Sequence, residues 1–258
     1  ETGEAEEIVA LALTLDNVNL VGFHCHIGSQ IFELEPFEKT AEVMINFIAY
    51  IKEKYNFEAS VLNLGGGFGC KYVKNDTPVN YGEYMKAVST VVRETAKNRG
   101  VNLPFIIAEP GRSSVAEAGL TLYTVGTVKE IPNIRTYVSV DGGMADNPRY
   151  ILYQSEYTAV AVENPTATAL KPVTIAGRCC ESGDLLGEGM MLQTPVRGDI
   201  LAMLVTGAYQ HSMASNYNKI PRPPLVMIKD GASRVVVRRE TYEDLLALDV
   251  TDSVYSTR

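Results

Sequence analysis

Val61-Leu62-Asn63-Leu64-Gly65-Gly66-Gly67-Phe68-Gly69 sets a short apolar run directly against four glycines. The run reads as a buried strand, and the glycines end it abruptly. Glycine also lets backbone N–H groups approach an anion without interference from a Cβ, although the same run would serve equally as a tight turn with no ligand. On the N-terminal side, Phe37, Ala41, Met44, Ile45, Ile48 and Ile51 recur at helical spacing. Before them, Val18-Asn19-Leu20-Val21-Gly22-Phe23 predicts another buried strand. On the C-terminal side, Tyr81, Tyr84, Met85, Val88, Val91 and Val92 predict one face of a second helix. Phe105-Ile106-Ile107-Ala108 then predicts a third strand, broken by Glu109-Pro110-Gly111-Arg112. Strand, helix, strand, helix, strand implies parallel pairing. His24 and His26 follow the first strand, the glycines the second, and Glu109 to Arg112 the third. Sites in parallel α/β folds form at the carboxyl ends of strands, so three such clusters point to one shared site. Three strands cannot close a barrel, which leaves a small open sheet or part of a longer fold.

From about Gly119 the pattern changes. Strand-like runs succeed one another with turn residues between them: 120–128, 137–140, 157–162, 173–176, 200–205, 225–228 and 235–237. A helical signal returns only at Glu240 to Leu248. This predicts a mostly antiparallel β domain, with the boundary near Ala116.

The bulk composition excludes several classes. The chain has 258 residues, of which 46% are hydrophobic, and a formal net charge of -8. No basic stripe suits a nucleic acid, and no apolar run is long enough to span a bilayer. Glu1 to Glu7 is acidic, unlike the basic start of a signal peptide. Cys25, Cys70, Cys179 and Cys180 form no C-x-x-C pair, so reduced thiols and a cytoplasmic location are expected.

Several residues carry chemistry. Arg112 offers a donor fork suited to phosphate or carboxylate. Glu109 suits either a surface pair with Arg112 or a carboxylate that keeps a basic ring nitrogen protonated. His24-x-His26 lacks the companion ligands of a metal motif, so one histidine is expected in the core and the other at the site. Cys180-Glu181-Ser182-Gly183-Asp184 puts a nucleophile and two acids in one turn, which alone favours a polar loop.

Taken together and in order, Phe23-His24-Cys25-His26-Ile27-Gly28-Ser29-Gln30, the glycine run, Glu109-Pro110-Gly111-Arg112, Asp141-Gly142-Gly143-Met144, the Cys180 turn and Gly207-Ala208-Tyr209 resemble the fold-type III pyridoxal-phosphate-dependent amino-acid decarboxylases. The resemblance covers nearly the whole chain. It implies α/β plus β architecture: residues 1–116 as the C-terminal part of a TIM-like (β/α)8 barrel that binds pyridoxal 5'-phosphate, then a mostly antiparallel β domain over 117–258. It implies that His26 stacks on the cofactor ring, Glu109 pairs with its nitrogen, and Gly66, Gly67, Gly111, Arg112 and Tyr209 surround the phosphate. Arg112, Arg149, Tyr153, Glu181 and Tyr209 resemble substrate-holding residues. Cys180 resembles the proton donor, and with Glu181 it reaches the neighbouring site of a homodimer. Glu181, where ornithine-type members usually carry Asp, and Arg149 favour meso-2,6-diaminopimelate as substrate and L-lysine as product. The alternatives are a decarboxylase of ornithine, arginine or carboxynorspermidine, a racemase, or a non-catalytic regulatory relative. Tyr150 departs from the proline that commonly follows the arginine. No lysine lies in the Y-x-V-K-A-N-like context that carries the cofactor. The chain is therefore expected to be a C-terminal portion, inactive alone.

Overall fold

Three short strands run parallel in register in the first part of the chain: β1 (Gly22–His24), β2 (Val61–Asn63) and β3 (Phe105–Ile107). The structure, a computed structural model, describes residues 3–168 and 170–250. It divides into one unit ending at Val115 and another beginning at Ala116.

In the first unit, α1 (Glu4–Ala12) precedes β1, α2 (Glu35–Tyr55) links β1 to β2, and α3 (Tyr81–Arg99) links β2 to β3. The last element is the single turn α4 (Gly111–Val115). Proline in the first turn of α2 fits the missing helical N–H there, and Asn56 closes the helix in the left-handed region at φ 53°. The Asn80 side chain caps α3 by accepting from the Glu83 N–H, and Gly100 ends it at φ 65°. The core is the contact between the two helices and the sheet. It holds Phe37, Ala41, Ile45 and Ile48 from α2, Leu62 and Leu64 from the β2 segment, and Tyr84, Val88, Val92 and Ala96 from α3.

Two expectations need correction here. The strand expected over 18–23 is paired only from Gly22. Val18 closes a turn onto Leu15, and Val18 and Val21 are half exposed. The buried stripe of α3 is narrower than expected, because it follows Tyr84, Val88, Val92 and Ala96 at every fourth residue and leaves Tyr81 and Met85 exposed. The helix α1 had no sequence signal beyond its acidity. Its Glu6 accepts from the hydroxyls of Tyr50 (2.5 Å) and Tyr55 (2.7 Å) on α2 and pairs with Lys54. Those partners, with Lys54 first, lower the Glu6 carboxyl to about 2.

The second unit is built on a six-stranded sheet ordered β6-β9-β4-β5-β7-β8. Its strands are β4 (Leu120–Ile131), β5 (Arg135–Val140), β6 (Ala159–Ala161), β7 (Lys171–Ala176), β8 (Leu185–Leu192) and β9 (Ile200–Leu204). All pairs are antiparallel except β5 with β7. That parallel pair brings the loops after β5 and β7 to the same end, where Gly142 and Gly177 begin the functional turns. The strand β8 was not expected, and it contains two glycines, a residue type that commonly marks turns. Gly187 instead makes room for the Met190 side chain, which lies 2.4 Å from where its Cβ would be. The short helices α5 (Arg149–Tyr153) and α6 (Gln210–Met213) were also not anticipated. A separate hairpin of β10 (Leu225–Lys229) and β11 (Ala232–Val237) turns at Asp230-Gly231, both with positive φ. The capped turn α7 (Tyr242–Leu246) follows it. All four cysteines are thiols, and no described helix is long and apolar enough to cross a membrane.

Candidate active site

The loops after β1, β2 and β3 meet through contacts too close for any side chain at the glycines. A Cβ on Gly65 would lie 2.6 Å from the Cys25 carbonyl oxygen, one on Gly66 2.2 Å from that of Glu109, and one on Gly67 2.6 Å from that of Gly28. Gly65 and Gly67 also hold positive φ, at 68° and 103°. The glycine run is therefore a three-way junction of backbone. Phe68, between the glycines, anchors it in the core, stacked on Phe37 at 5.1 Å and edge-on to Tyr84 at 5.2 Å. The Tyr84 hydroxyl in turn donates to the Ile31 carbonyl (2.8 Å), fixing the loop after β1. Gln30, at φ 60°, stitches the same loop to Cys70: its amide donates to the Cys70 carbonyl (2.9 Å) and accepts from the Cys70 N–H (3.0 Å).

Polar side chains gather around this junction. Asn63 donates to Glu109 Oε1 (2.7 Å) while its own oxygen accepts from the Gly65 N–H (2.9 Å). The other Glu109 oxygen lies 3.8 Å from His24 Nε2. His26 Nδ1 accepts from the Gly66 N–H (3.3 Å), which orients its ring. Gly67 is half-buried, and its N–H has no partner among the described residues. Arg112 donates from Nη1 to the Tyr72 hydroxyl and from Nη2 to Ser29 Oγ, each at 2.9 Å. Arg112 thus reaches Tyr72 and Ser29, while Glu109 is held by Asn63 and His24. Both histidines are exposed, so neither is the core residue expected of one of them. Asn63, Ser29 and Gln30 lay within the quoted stretches without a role of their own, and Tyr72 was not singled out.

These residues fit a planar, anionic, nitrogen-containing aromatic group. Gly67 and Arg112 offer donors for a phosphate, His26 a flat ring, and Glu109 a carboxylate braced on both oxygens. The glycine at 66 yields a direct test. Gly66→Ala forces the Glu109 backbone away and should destabilise the fold by about 1–3 kcal/mol, read from the urea midpoint. A Cβ on Gly111 meets nothing within 4 Å, so Gly111→Ala should stay within about 0.5 kcal/mol of the parent. Equal shifts for the two variants would show that close approach is not what Gly66 provides.

The second unit holds the remaining candidates in two groups. Arg149 is buried. Its Nε donates to the Tyr157 hydroxyl (3.0 Å) and its Nη2 to Ser155 (3.3 Å), and its guanidinium lies 5.4 Å and 4.9 Å from the rings of Tyr153 and Tyr209. Tyr209 adopts φ 73°, an uncommon backbone for a bulky residue, at the start of α6. Tyr150 uses its hydroxyl to donate to Glu188 (2.9 Å), a bond that proline could not make. The turn after β7 carries Cys180 and Glu181, both exposed, and is tied down by buried Asp184. Asp184 Oδ1 accepts from the Met144 N–H (2.6 Å) and Oδ2 from the Cys179 N–H (2.7 Å). Asp146, beside it, accepts from the Tyr123 hydroxyl (2.5 Å), and burial raises the carboxyl pKa of Asp146.

Residues 1–116 match the family model described as "Pyridoxal-dependent decarboxylase, pyridoxal binding domain". Over those residues the chain is similar to the pyridoxal-dependent decarboxylase family. Among the relatives it resembles are diaminopimelate decarboxylases. It is 47% identical to that of Halalkalibacterium halodurans over 96% of this chain and 57% of the relative. It is equally 47% identical to that of Bacillus subtilis, over 96% of this chain and 56% of the relative. The crystal structure of the M. jannaschii diaminopimelate decarboxylase in complex with L-lysine matches with a TM-score of 0.89 at 36% identity, covering 96% of this chain and 56% of that one. The chain thus spans a little over half the length of these relatives.

Proposed function

We propose that this chain is part of a pyridoxal-phosphate-dependent enzyme that decarboxylates meso-2,6-diaminopimelate to L-lysine. The observation that carries the reading is the Glu109 carboxylate, braced by Asn63 and His24 beside the glycine junction and Arg112. In this reading residues 1–116 supply the last three strands of a (β/α)8 barrel, and residues 117–258 form a β domain.

When bound, pyridoxal phosphate supplies an electron sink for the bond that loses carbon dioxide. The chain's own residues do the rest. Gly66, Gly67, Gly111 and Arg112 would hold the phosphate, a role that the family resemblance also gives to Tyr209. His26, oriented by the Gly66 N–H, would stack on the ring. Glu109 sets a negative charge beside the ring nitrogen and so favours its protonated form. Arg149, Tyr153 and Tyr209 would receive substrate, a role that the family resemblance also gives to Arg112, with the buried Arg149 guanidinium suited to a distal carboxylate. Glu181 takes the distal ammonium. Cys180 gives the proton from Sγ to the substrate carbon that lost its carboxylate. By family resemblance, Cys180 and Glu181 serve the neighbouring subunit's site in a cytoplasmic homodimer.

The test is a substrate panel on the full-length protein. Carbon dioxide release from meso-diaminopimelate should give L-lysine, with kcat/KM at least about a hundredfold above that for L-ornithine or L-arginine. A higher value for ornithine would overturn the substrate assignment. No turnover of any amino acid, with no pyridoxal phosphate bound, would favour a non-catalytic relative.

A further inference from the structure

The turn after β7 is not held by Asp184 alone. A second turn, residues 216–220, packs its polar groups against Cys180 and Glu181. Asn218 Oδ1 accepts from the Cys180 N–H at 2.5 Å. The Tyr217 hydroxyl donates to Glu181 Oε2 at 3.3 Å. The charge of Glu181 is the main reason the Tyr217 hydroxyl keeps its proton to higher pH than an ordinary phenol, so it remains a donor.

This second turn is itself fixed in place. Asn218 has φ 54° and ψ 25°, a left-handed conformation that asparagine tolerates better than most residues. Asn216 donates to the Ile220 carbonyl (3.1 Å) and to Glu240 Oε2 (2.6 Å). Glu240 also accepts from the Arg222 N–H (2.8 Å) and from Arg222 Nε (2.7 Å). Those bonds, the Arg222 guanidinium first, lower the Glu240 carboxyl to about 2, so it stays ionised and gripping at working pH. A mostly buried carboxylate thus anchors a strained turn, and that turn presents one acceptor and one donor to Cys180 and Glu181.

We infer that Tyr217 and Asn218 are positioning residues that fix where Glu181 and Cys180 stand, and so help decide which distal group a substrate can carry. The inference rests on the reading above, in which Glu181 receives the distal ammonium and Cys180 the acid role. A carboxylate on a flexible side chain loses rotamer freedom when it binds a ligand. One charge-assisted bond made beforehand removes part of that cost. Tyr217 leaves the second Glu181 oxygen available for the ligand. Asn218 holds the peptide of Cys180 and so fixes the direction of its side chain.

The test uses the full-length protein. Asn218→Gly keeps the left-handed backbone and removes the acceptor, whereas Asn218→Asp keeps an acceptor. In the ligand-free protein, amide hydrogen exchange at Cys180 should speed up about tenfold in the glycine variant and stay near the parent rate in the aspartate variant. In turnover, Tyr217→Phe should raise KM for meso-diaminopimelate about five- to tenfold with kcat within about twofold. KM for 2-aminopimelate, which lacks the distal ammonium, should not move. Equal exchange rates in the glycine and aspartate variants, or equal KM changes for both substrates, would overturn the inference. Glu181→Gln separates it from the underlying reading. If Glu181→Gln raises KM for the diamine and Tyr217→Phe does not, the positioning role fails alone. If Glu181→Gln changes nothing, the role of Glu181 fails, and the exchange measurement still decides the contact with Asn218.

Discussion

Glu109→Gln in the full-length protein should lower kcat by at least about a hundredfold while leaving affinity for pyridoxal phosphate within a few-fold of the parent. The two expectations come from different parts of the junction. In the proposed site, binding would rest on the glycine loop and Arg112, whose bonds in the structure go to Tyr72 and Ser29 and not to the Glu109 side chain. Turnover in the proposed enzyme would depend on negative charge beside the ring nitrogen, because a neutral neighbour would no longer stabilise the protonated ring. Glutamine keeps the shape of glutamate and can still accept from Asn63 Nδ2, so loss of the charge is the main change. Asn63→Ala should give a smaller loss, about tenfold, because the charge remains but one oxygen is released and the Gly65 N–H loses its acceptor. Turnover of Glu109→Gln within twofold of the parent would remove Glu109 from the chemistry. A loss of cofactor binding as large as the loss of turnover would show that Glu109 shapes the junction rather than acting on the ring.

Sequence reading located this junction because each part carries a local signal. Short apolar runs end in histidines, glycines or Glu109-Pro110, and the intervening helices repeat at every third or fourth residue. These are properties of neighbours along the chain. What could not be read is what depends on distant partners. Asn63 looks like an ordinary polar residue within a strand until it is seen to join Gly65 and Glu109. Gln30 looks like the end of a motif, yet it ties its loop to Cys70 by two hydrogen bonds. The helix α1 is held by Glu6 reaching three residues more than forty positions away. In the second unit β8 was missed for a related reason: glycine normally signals a turn, but at Gly187 it admits Met190. The expectation that one histidine lies in the core failed because His24 ends β1 and His26 follows it at the exposed carboxyl end of the sheet, beside Glu109 and Gly66. Cys180 and Glu181 were legible as a pair, but the turn that holds them lies 36 to 38 residues further on and has no pattern of its own.

Asp184→Asn should destabilise the full-length protein by on the order of 3 kcal/mol, although the change swaps one atom for another of nearly equal size. Asp184 is buried, and each carboxylate oxygen accepts one backbone N–H, from Met144 and from Cys179. An ionised carboxylate is acceptor-only, which suits two facing donors. An amide has one acceptor and one donor group, so whichever way it turns, its NH2 confronts a backbone N–H. Displacing the side chain is no remedy, because Gly143 and Gly177 lie against it: a Cβ on either would stand 2.5 Å or 2.2 Å from an Asp184 oxygen. The two glycines and the carboxylate are thus parts of one packing unit that joins the loops after the parallel strands β5 and β7. Asp199 is the control. It accepts the Val196 N–H (2.8 Å) in an exposed turn, where an amide can present its oxygen to that single donor, so Asp199→Asn should cost no more than about 0.5 kcal/mol. The urea midpoints of the two variants measure the difference. Similar midpoints would mean that Asp184 is not the clamp of the Cys180 turn, and the geometry of Cys180 and Glu181 would then rest on Tyr217 and Asn218 alone.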